Sequence, residues 1–155
     1  PGIVFKDLTP VLANGIALAR VTAELSRPYD NDGITAVAGM EARGFIFGAL
    51  VAQALGVGFI PLRKPGKLPS ASHSVSYDLE YGSASLEMHT DAVGPGDRVL
   101  LIDDLIATGG TAAASCELVR RAGADIAACA FVIELDFLKG REQLRGIPIH
   151  SLIHF

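Results

Sequence analysis

The sequence predicts an α/β fold in which a mostly parallel sheet is flanked by helices. Short apolar runs typical of buried strands alternate with segments of helical periodicity, as in repeated strand–helix units. The run at residues 99–102 is apolar at every position, as expected of a strand covered on both faces of a parallel sheet. The chain has 155 residues, of which 50% are hydrophobic, so we expect one domain over residues 1–155. Because the chain begins at Pro1 and not at Met, we also expect the natural N-terminus to lie upstream.

The first half of the chain is predicted to contain two helices and two strands before a long loop. Thr9-Pro10 has the character of an N-cap followed by proline at N1, and it opens a helix that extends to about residue 27. The segments expected next are a turn-rich connector at 28–33, a strand at 34–38, a helix at 44–55 and a strand at 57–62. Residues 63–81 are rich in Lys, Pro, Gly and Ser, so we predict an irregular, functional or mobile loop there.

The second half of the chain is predicted to continue the alternation of strands and helices. Residues 83–89 alternate in polarity like a half-exposed strand, and the central strand at 99–102 leads to an alanine-rich helix at 112–121. The remaining predicted elements are a strand at 127–135, a short polar helix near 140–145 and a strand at 149–154.

Composition limits the classes of partner. The net charge of −4 gives no general attraction to nucleic acid or to acidic membranes, so anion binding must be local. The two cysteines, Cys116 and Cys129, are expected to be buried reduced thiols of a cytoplasmic protein. The longest apolar run is far too short for a membrane span. The four histidines lack metal-ligand spacing, which argues against a zinc site.

The most informative segment begins where the central strand ends. It consists of two carboxylates, a short loop of small and hydroxylated residues, and the start of a helix: Asp103, Asp104, Leu105, Ile106, Ala107, Thr108, Gly109, Gly110 and Thr111. Glycines let backbone N–H groups approach an anion, and a helix N-terminus adds unpaired donors. The carboxylates suit ribose hydroxyls or hydrated Mg²⁺, so the segment favours a sugar-phosphate site at the carboxyl edge of the sheet. The alternative is a polar strand end followed by an ordinary turn. Neither GxGxxG nor GxxxxGK[ST] occurs, which excludes a dinucleotide fingerprint and a P-loop.

Other segments carry candidate binding groups. Glu41-Ala42-Arg43 lies at a second strand-to-helix turn, where the arginine fork suits phosphate oxygens. Arg63, Lys64 and Lys67 form a basic run in an acidic chain. Each set could instead be a solvent-facing group of charges.

Two further segments contain residues that could take part in catalysis or ligand binding. Glu80, beside Tyr81, could be a general acid or base on a closing loop, although the segment also fits an ordinary hairpin arm. The apolar start of the chain, which includes Val4, Phe5 and Lys6, would by itself pass for an edge strand.

The ordered set of segments resembles the adenine phosphoribosyltransferase family of the type I phosphoribosyltransferases, over nearly the whole chain. The most specific segment, DDLIATGGT, is shared across the type I enzymes. The segments that narrow the resemblance are PGIVFKDLTPVL, GMEARGFIFGALVAQALG, PLRKPGKLP, YDLEYGSASLEMH and FVIELDFLKGREQL. The resemblance implies a type I phosphoribosyltransferase fold with a flexible loop over the site. It also implies transfer of phosphoribose from 5-phosphoribosyl pyrophosphate (PRPP) to adenine, giving AMP and pyrophosphate in purine salvage.

The resemblance further implies roles for individual residues. The 5′-phosphate would be held by Ala107, Thr108, Gly109, Gly110 and Thr111. Pyrophosphate would be held by Glu41, Ala42, Arg43, Arg63, Lys64 and Lys67, with a non-proline cis peptide common in the Glu41–Arg43 loop. Adenine would be held by Val4, Phe5, Lys6 and Leu105. The catalytic set would be Glu80, Asp103, Asp104 and Arg43, with Tyr81 on the flexible loop. Mg²⁺ would be held mainly by PRPP, near Asp103 and Asp104. The resemblance also implies that the protein is a cytoplasmic homodimer.

Two alternatives stay open from the sequence. A PRPP-sensing regulator would keep this fold, but it would need an appended DNA-binding segment that these residues do not contain. A related enzyme could select xanthine or guanine in place of adenine.

Overall fold

A five-stranded parallel sheet forms the centre of the computed structural model, which describes residues 7–78 and 82–155. Its strands are β1 (Ala36–Met40), β2 (Gly58–Leu62), β5 (Arg98–Ile106), β6 (Asp125–Glu134) and β7 (Ile149–His154). They lie in the order β2-β1-β5-β6-β7, and every neighbouring pair is parallel. The predicted α/β class is therefore confirmed.

Four α-helices accompany the strands in the described part of the chain: α1 (Thr9–Leu12), α2 (Gly15–Ser26), α3 (Gly44–Leu55) and α4 (Gly110–Arg121). Two apolar cores form because alternate residues of each buried strand point to opposite faces of the sheet. Val37, Leu100 and Ile102 pack on the face that α2 and α3 cover, whereas Ala38 and Leu101 pack on the face that α4 covers. No helix among residues 7–78 and 82–155 is long and apolar enough to cross a membrane.

A separate antiparallel hairpin stands over the α4 face. It consists of β3 (Ser72–Asp78) and β4 (Ser83–His89), in which Val75 pairs with Leu86. Arg63 and Glu87 exchange backbone hydrogen bonds of 2.9 and 2.7 Å, which join this hairpin to the end of β2. Leu86 and Met88 belong to the core beneath it.

The structure corrects several predicted boundaries. The helix predicted from residue 9 to 27 is two helices, because Asn14 interrupts it and caps α2 by accepting the N–H groups of Ile16 and Ala17 at 3.0 Å each. Thr9 is the first helical residue and not the N-cap. The loop predicted at 63–81 contains β3, so Ser72-His73 opens a strand.

The central strand also differs from its prediction at residues 99–102. β5 runs through Ile106 because Asp103, Leu105 and Ile106 continue the ladder with β6. The acid pair, Asp103 and Asp104, therefore lies on the strand and not after it.

The helices of the second half also differ from their predicted bounds. α4 begins at Gly110, two residues earlier than predicted. The predicted polar helix near 140–145 is a 3₁₀ helix, Gly140–Leu144, and a second one forms at Asp136–Leu138.

Candidate active site

The sheet creates a cleft where the chain connections diverge between β1 and β5. From β1 the chain continues to the β2 edge, whereas β5 leads to β6 and β7 on the other side. Such switch points are where open α/β sheets bind ligands. The cleft has a volume of about 800 Å³ and lies between the carboxyl ends of these strands and the hairpin. Its lining includes Glu41, Ala42, Arg43, Lys64, Asp103, Asp104, Leu105 and the whole loop 107–111.

Asp103 and Asp104 form the acidic side of this cleft. Asp104 is 6% exposed and accepts a hydrogen bond from Nε of Arg43, while the N–H of Asp104 donates to Oδ1 of Asp103 at 2.8 Å. Burial, followed by the neighbouring Asp104 charge, holds the pKa of Asp103 well above its ordinary value. The hydrogen bond to Asp104 raises the pKa of Arg43. The two carboxyl groups therefore have different electrostatic surroundings.

The turn between β1 and α3 delivers Arg43 to the acid pair. Its Glu41–Ala42 peptide is cis, as the resemblance implies. A Cβ atom on Gly44 would lie 2.8 Å from Oδ1 of Asp103 and 2.9 Å from the carbonyl oxygen of Ile102. Only glycine therefore lets the first turn of α3 approach β5 this closely. This approach places Arg43 beside Asp104.

Glu41 anchors the same turn to the basic run. Its Oε2 accepts the N–H of Lys64 at 3.0 Å and Nε of Arg63 at 3.2 Å. The bond from Lys64, with a smaller contribution from Arg63, lowers the pKa of Glu41 below its ordinary value. Arg63 also donates to the carbonyl oxygen of Lys67 at 3.1 Å. Lys64 lines the cleft, whereas Arg63 and Lys67 are not among its lining residues.

The loop 107–111 (the phosphate loop) leads into the N-terminus of α4. Gly109 adopts φ +85° as the N-cap and contributes no side-chain hydrogen bond to the helix. The first N–H groups of a helix have no partner within the helix and carry positive dipolar charge. These groups at α4 face the cleft because Gly110, Thr111 and Ala112 line it. The arrangement suits a phosphate group.

The hairpin supplies cleft residues that the sequence interpretation did not assign. Oγ1 of Thr111 donates to the hydroxyl of Tyr77 at 3.2 Å, which links β3 to the start of α4. Pro65, Phe131 and the residues 83–86 also line the cleft. The sequence shows Tyr77 only as the first residue of YDLEYGSASLEMH, and the hydrogen bond could not be predicted because Thr111 lies 34 residues away. The assignments to Val4, Phe5, Lys6, Glu80 and Tyr81 lie outside the described residues.

Comparison with known proteins identifies relatives over nearly the whole chain. Residues 6–147 match the family model described as phosphoribosyl transferase domain. The adenine phosphoribosyltransferases of Nitrosococcus oceani and Methylococcus capsulatus are each 64% identical over 155 residues, which covers 100% of this chain and 91% of theirs.

Solved structures agree with these relatives. The adenine phosphoribosyltransferase of Thermoanaerobacter pseudethanolicus is 50% identical with a TM-score of 0.97, covering 99% of this chain and 90% of its own. The Saccharomyces cerevisiae enzyme, in complex with an imino-altritol bisphosphate and adenine, is 42% identical with a TM-score of 0.92, covering 97% and 88%. The Trypanosoma brucei enzyme, in complex with AMP, pyrophosphate and ribose-5-phosphate, is 28% identical with a TM-score of 0.90, covering 97% and 69%.

Proposed function

The chain belongs to the phosphoribosyltransferase family, and we propose that it transfers the 5-phosphoribosyl group of PRPP to adenine, giving AMP and pyrophosphate. The observation that carries this proposal is the cleft itself. The cleft combines an acid pair, an exposed arginine and a helix N-terminus at one sheet edge, in a chain 64% identical to adenine phosphoribosyltransferases. A donor with a 5′-phosphate, a ribose and a pyrophosphate needs each of these groups.

The phosphate loop would bind the 5′-phosphate of PRPP. Its backbone N–H groups and the hydroxyl groups of Thr108 and Thr111 are donors suited to phosphate oxygens. The same loop follows directly from the strand that carries Asp103 and Asp104. A phosphate held there would direct the attached ribose towards the two carboxyl groups.

The acid pair and the Glu41–Arg43 turn would stabilise opposite charges of the transition state. Breaking the bond between C1′ and the pyrophosphate oxygen develops positive charge on the ribose and negative charge on the departing group. Asp104 would stabilise the ribose charge, while Arg43 and Lys64 would stabilise the pyrophosphate charge. Arg43 and Asp104 form an ion pair with each other, so contacts of Arg43 with the pyrophosphate would replace this pair.

Mg²⁺ fits the donor set of this cleft. Asp103 and Asp104 offer carboxylate oxygens, the ligand type that a hard cation prefers, beside the expected position of the pyrophosphate. PRPP and these two residues would hold the ion, which when bound would neutralise charge on the leaving group. A bound cation would oppose the burial that raises the pKa of Asp103.

Other parts of the proposal concern the base and the assembly. Val4, Phe5, Lys6 and Leu105 would form the adenine pocket, and Glu80 with Tyr81 would cover it on a flexible loop. Glu80 would hold or move a proton at adenine N7 while N9 attacks C1′.

We also propose that the protein is a cytoplasmic homodimer, in which Arg63 or Lys67 of one protomer could contact the pyrophosphate bound by its partner. The buried free thiols of Cys116 and Cys129 agree with a reducing compartment.

The test is pyrophosphate release from PRPP with adenine, hypoxanthine, guanine and xanthine supplied in turn, with and without Mg²⁺. We expect rapid release with adenine and Mg²⁺ only. A 6-oxo purine reverses the donor and acceptor pattern of adenine, so polar groups matched to adenine would be left unpaired. Preference for another purine would contradict the adenine assignment, and no release with any purine would contradict the proposed transfer.

A further inference from the structure

An ion-pair network lies outside the cleft, at the end of β6. Glu134 is 4% exposed, and its two carboxylate oxygens accept Nε of Arg141 at 2.5 Å and Nη2 of Arg141 at 2.7 Å. The hydroxyl of Ser151 donates to the same carboxylate at 2.5 Å. Two parallel hydrogen bonds from a guanidinium group to a buried carboxylate fix the orientation of both side chains as well as the distance between them.

Hydrogen bonds within this network occupy the atoms that could otherwise bind a metal ion. Glu134, Asp136 and His154 bring three possible ligand atoms within 4.8 Å of one another. However, both oxygens of Glu134 already accept hydrogen bonds from Arg141 or Ser151, and His154 contacts Asp136 at 2.9 Å. The three groups therefore satisfy one another and the neighbouring arginine.

Arg141 belongs to the 3₁₀ helix Gly140–Leu144, whose first residue packs against the phosphate loop. A Cβ atom on Gly109 would lie 2.3 Å from the carbonyl oxygen of Gly140. A Cβ atom on Gly140 would lie 2.4 Å from the carbonyl oxygen of Ala107. Backbone therefore meets backbone on both sides of this contact, and Gly140 forms the wall behind the loop.

Glu134 is attached to the beginning of the same loop. It pairs in register with Ile106, the residue before Ala107, and the N–H of Leu135 donates to the carbonyl oxygen of Ile106 at 3.0 Å. A five-residue 3₁₀ helix has little stability of its own, so its position depends on tertiary contacts. The Glu134–Arg141 pair supplies a directional contact of this kind, one residue from Gly140.

We propose that Arg141 and Glu134 are positioning residues for 5′-phosphate binding, because their ion pair holds Gly140 against the phosphate loop. Neither side chain is among the residues that line the cleft, so the effect would pass through the backbone of Gly140. The inference rests on the proposed function, in which this loop binds the 5′-phosphate.

The test compares Arg141→Met with Arg98→Met in the full chain, by calorimetric titration with AMP and with adenine. Arg98 is a matched control, since it is 40% exposed against 45% for Arg141 and pairs with Asp32 at 2.8 Å at the opposite end of β5. We expect Arg141→Met to weaken AMP binding about tenfold, as for a displaced binding loop, with adenine binding within about twofold of the parent. Arg98→Met should leave both affinities unchanged.

A conservative variant and the parent separate the remaining outcomes. Arg141→Lys keeps the charge but not the fork, so its AMP affinity should fall between those of the parent and Arg141→Met. Unchanged AMP binding in Arg141→Met, or equal losses for AMP and adenine, would overturn the positioning role. If Arg141→Met does not fold, Arg141→Lys alone decides by the same comparison of AMP with adenine. Failure of the parent itself to bind AMP would instead count against the proposed function.

Discussion

Asp103 and Asp104 follow one another on β5 but have different surroundings. Asp104 is almost fully buried and bonded to Arg43, whereas Asp103 is half-buried and accepts a backbone N–H. The first arrangement keeps an arginine beside Asp104. At Asp103, burial of the carboxyl group and the neighbouring Asp104 charge raise the pKa, although the accepted N–H acts in the opposite direction. Adjacent residues of one type can therefore serve different purposes because alternate side chains of a strand meet different neighbours.

Asp104→Asn should reduce kcat/KM for PRPP by about 30- to 1000-fold, equivalent to roughly 2–4 kcal/mol. The substitution preserves shape but removes the charge that faces Arg43 and the proposed ribose position. Steady-state kinetics with adenine held saturating would measure the loss. Asp125→Asn, at the opposite end of the sheet, is the control and should match the parent. Parental kinetics in Asp104→Asn would contradict the role given to this carboxylate.

The stability conferred by His154 should depend on pH. The hydrogen bond to Asp136 at 2.9 Å raises the pKa of His154 above its ordinary value, and Glu134 acts in the same direction. Burial and Arg141 lower this pKa by smaller amounts. A raised folded-state pKa stabilises the protein fully below the unfolded pKa, and this contribution is lost as pH rises through the folded pKa. Urea unfolding should show that His154→Asn is less stable than the parent at about pH 5.5 and equally stable at about pH 9. Asp136→Asn should reduce this pH dependence to the smaller contribution of Glu134, and an unchanged dependence would contradict the pairing.

At the scale of elements, strand β3 of the hairpin was the least predictable part of the described fold, whereas its partner β4 has the bounds predicted at residues 83–89. Strand β3, Ser72–Asp78, is mostly polar, and among its described residues only Val75 is fully buried. Local pattern therefore gives β3 little strand character. The strand forms because β4 offers a complete antiparallel partner and because the core beneath accepts Val75. The pairing of β3 with β4 and the burial of Val75 therefore outweigh the weak strand propensity of residues 72–78.

The phosphate loop should tolerate no side chain at Gly109. Gly109→Ala introduces a methyl group at positive φ and 2.3 Å from the carbonyl oxygen of Gly140, so the loop must move. Gly146→Ala is a matched control, with φ +80° and no atom within 4 Å of the added methyl group. Thermal unfolding should show a loss of about 1 kcal/mol for Gly146→Ala and a larger loss for Gly109→Ala. Titration with AMP should show weakened binding only for Gly109→Ala; equal behaviour would refute the crowding argument.

The basic run should divide into a ligand-facing and a supporting part. Lys64 lines the cleft, while Lys67 offers its carbonyl oxygen to Arg63 and lies away from the lining. Lys64→Ala should raise the KM for PRPP by about 10- to 150-fold, since a charge-assisted bond contributes about 1.5–3 kcal/mol. Lys67→Ala should raise this KM less than Lys64→Ala does. An equal or larger effect of Lys67→Ala would contradict this division of the basic run.

At the scale of the whole molecule, ligand binding should stabilise the described fold as a unit. The cleft joins the ends of β1 and β5, the start of α4 and the hairpin, so one ligand would contact all of them. AMP at about 100 times its Kd should add about 2.7 kcal/mol to the free energy of unfolding, which raises Tm by roughly 5–10 °C. Adenosine at the same concentration should raise Tm less, because it lacks the phosphate. Equal shifts would argue against phosphate binding at α4.

The sequence by itself determined the parallel sheet and the components of the candidate site. Apolar runs identify buried strands, and DDLIATGGT identifies a carboxylate pair followed by an anion-binding loop, because these signals lie within a few consecutive residues. Only the tertiary structure decided which groups meet. It pairs Arg43 with Asp104, Arg63 with Glu41 and Arg141 with Glu134, and it packs Gly140 against Gly109. These partners are separated by 7 to 61 residues along the chain. A charged residue in the sequence predicts that its side chain will be hydrated or paired, but it does not indicate which oppositely charged residue the fold places beside it.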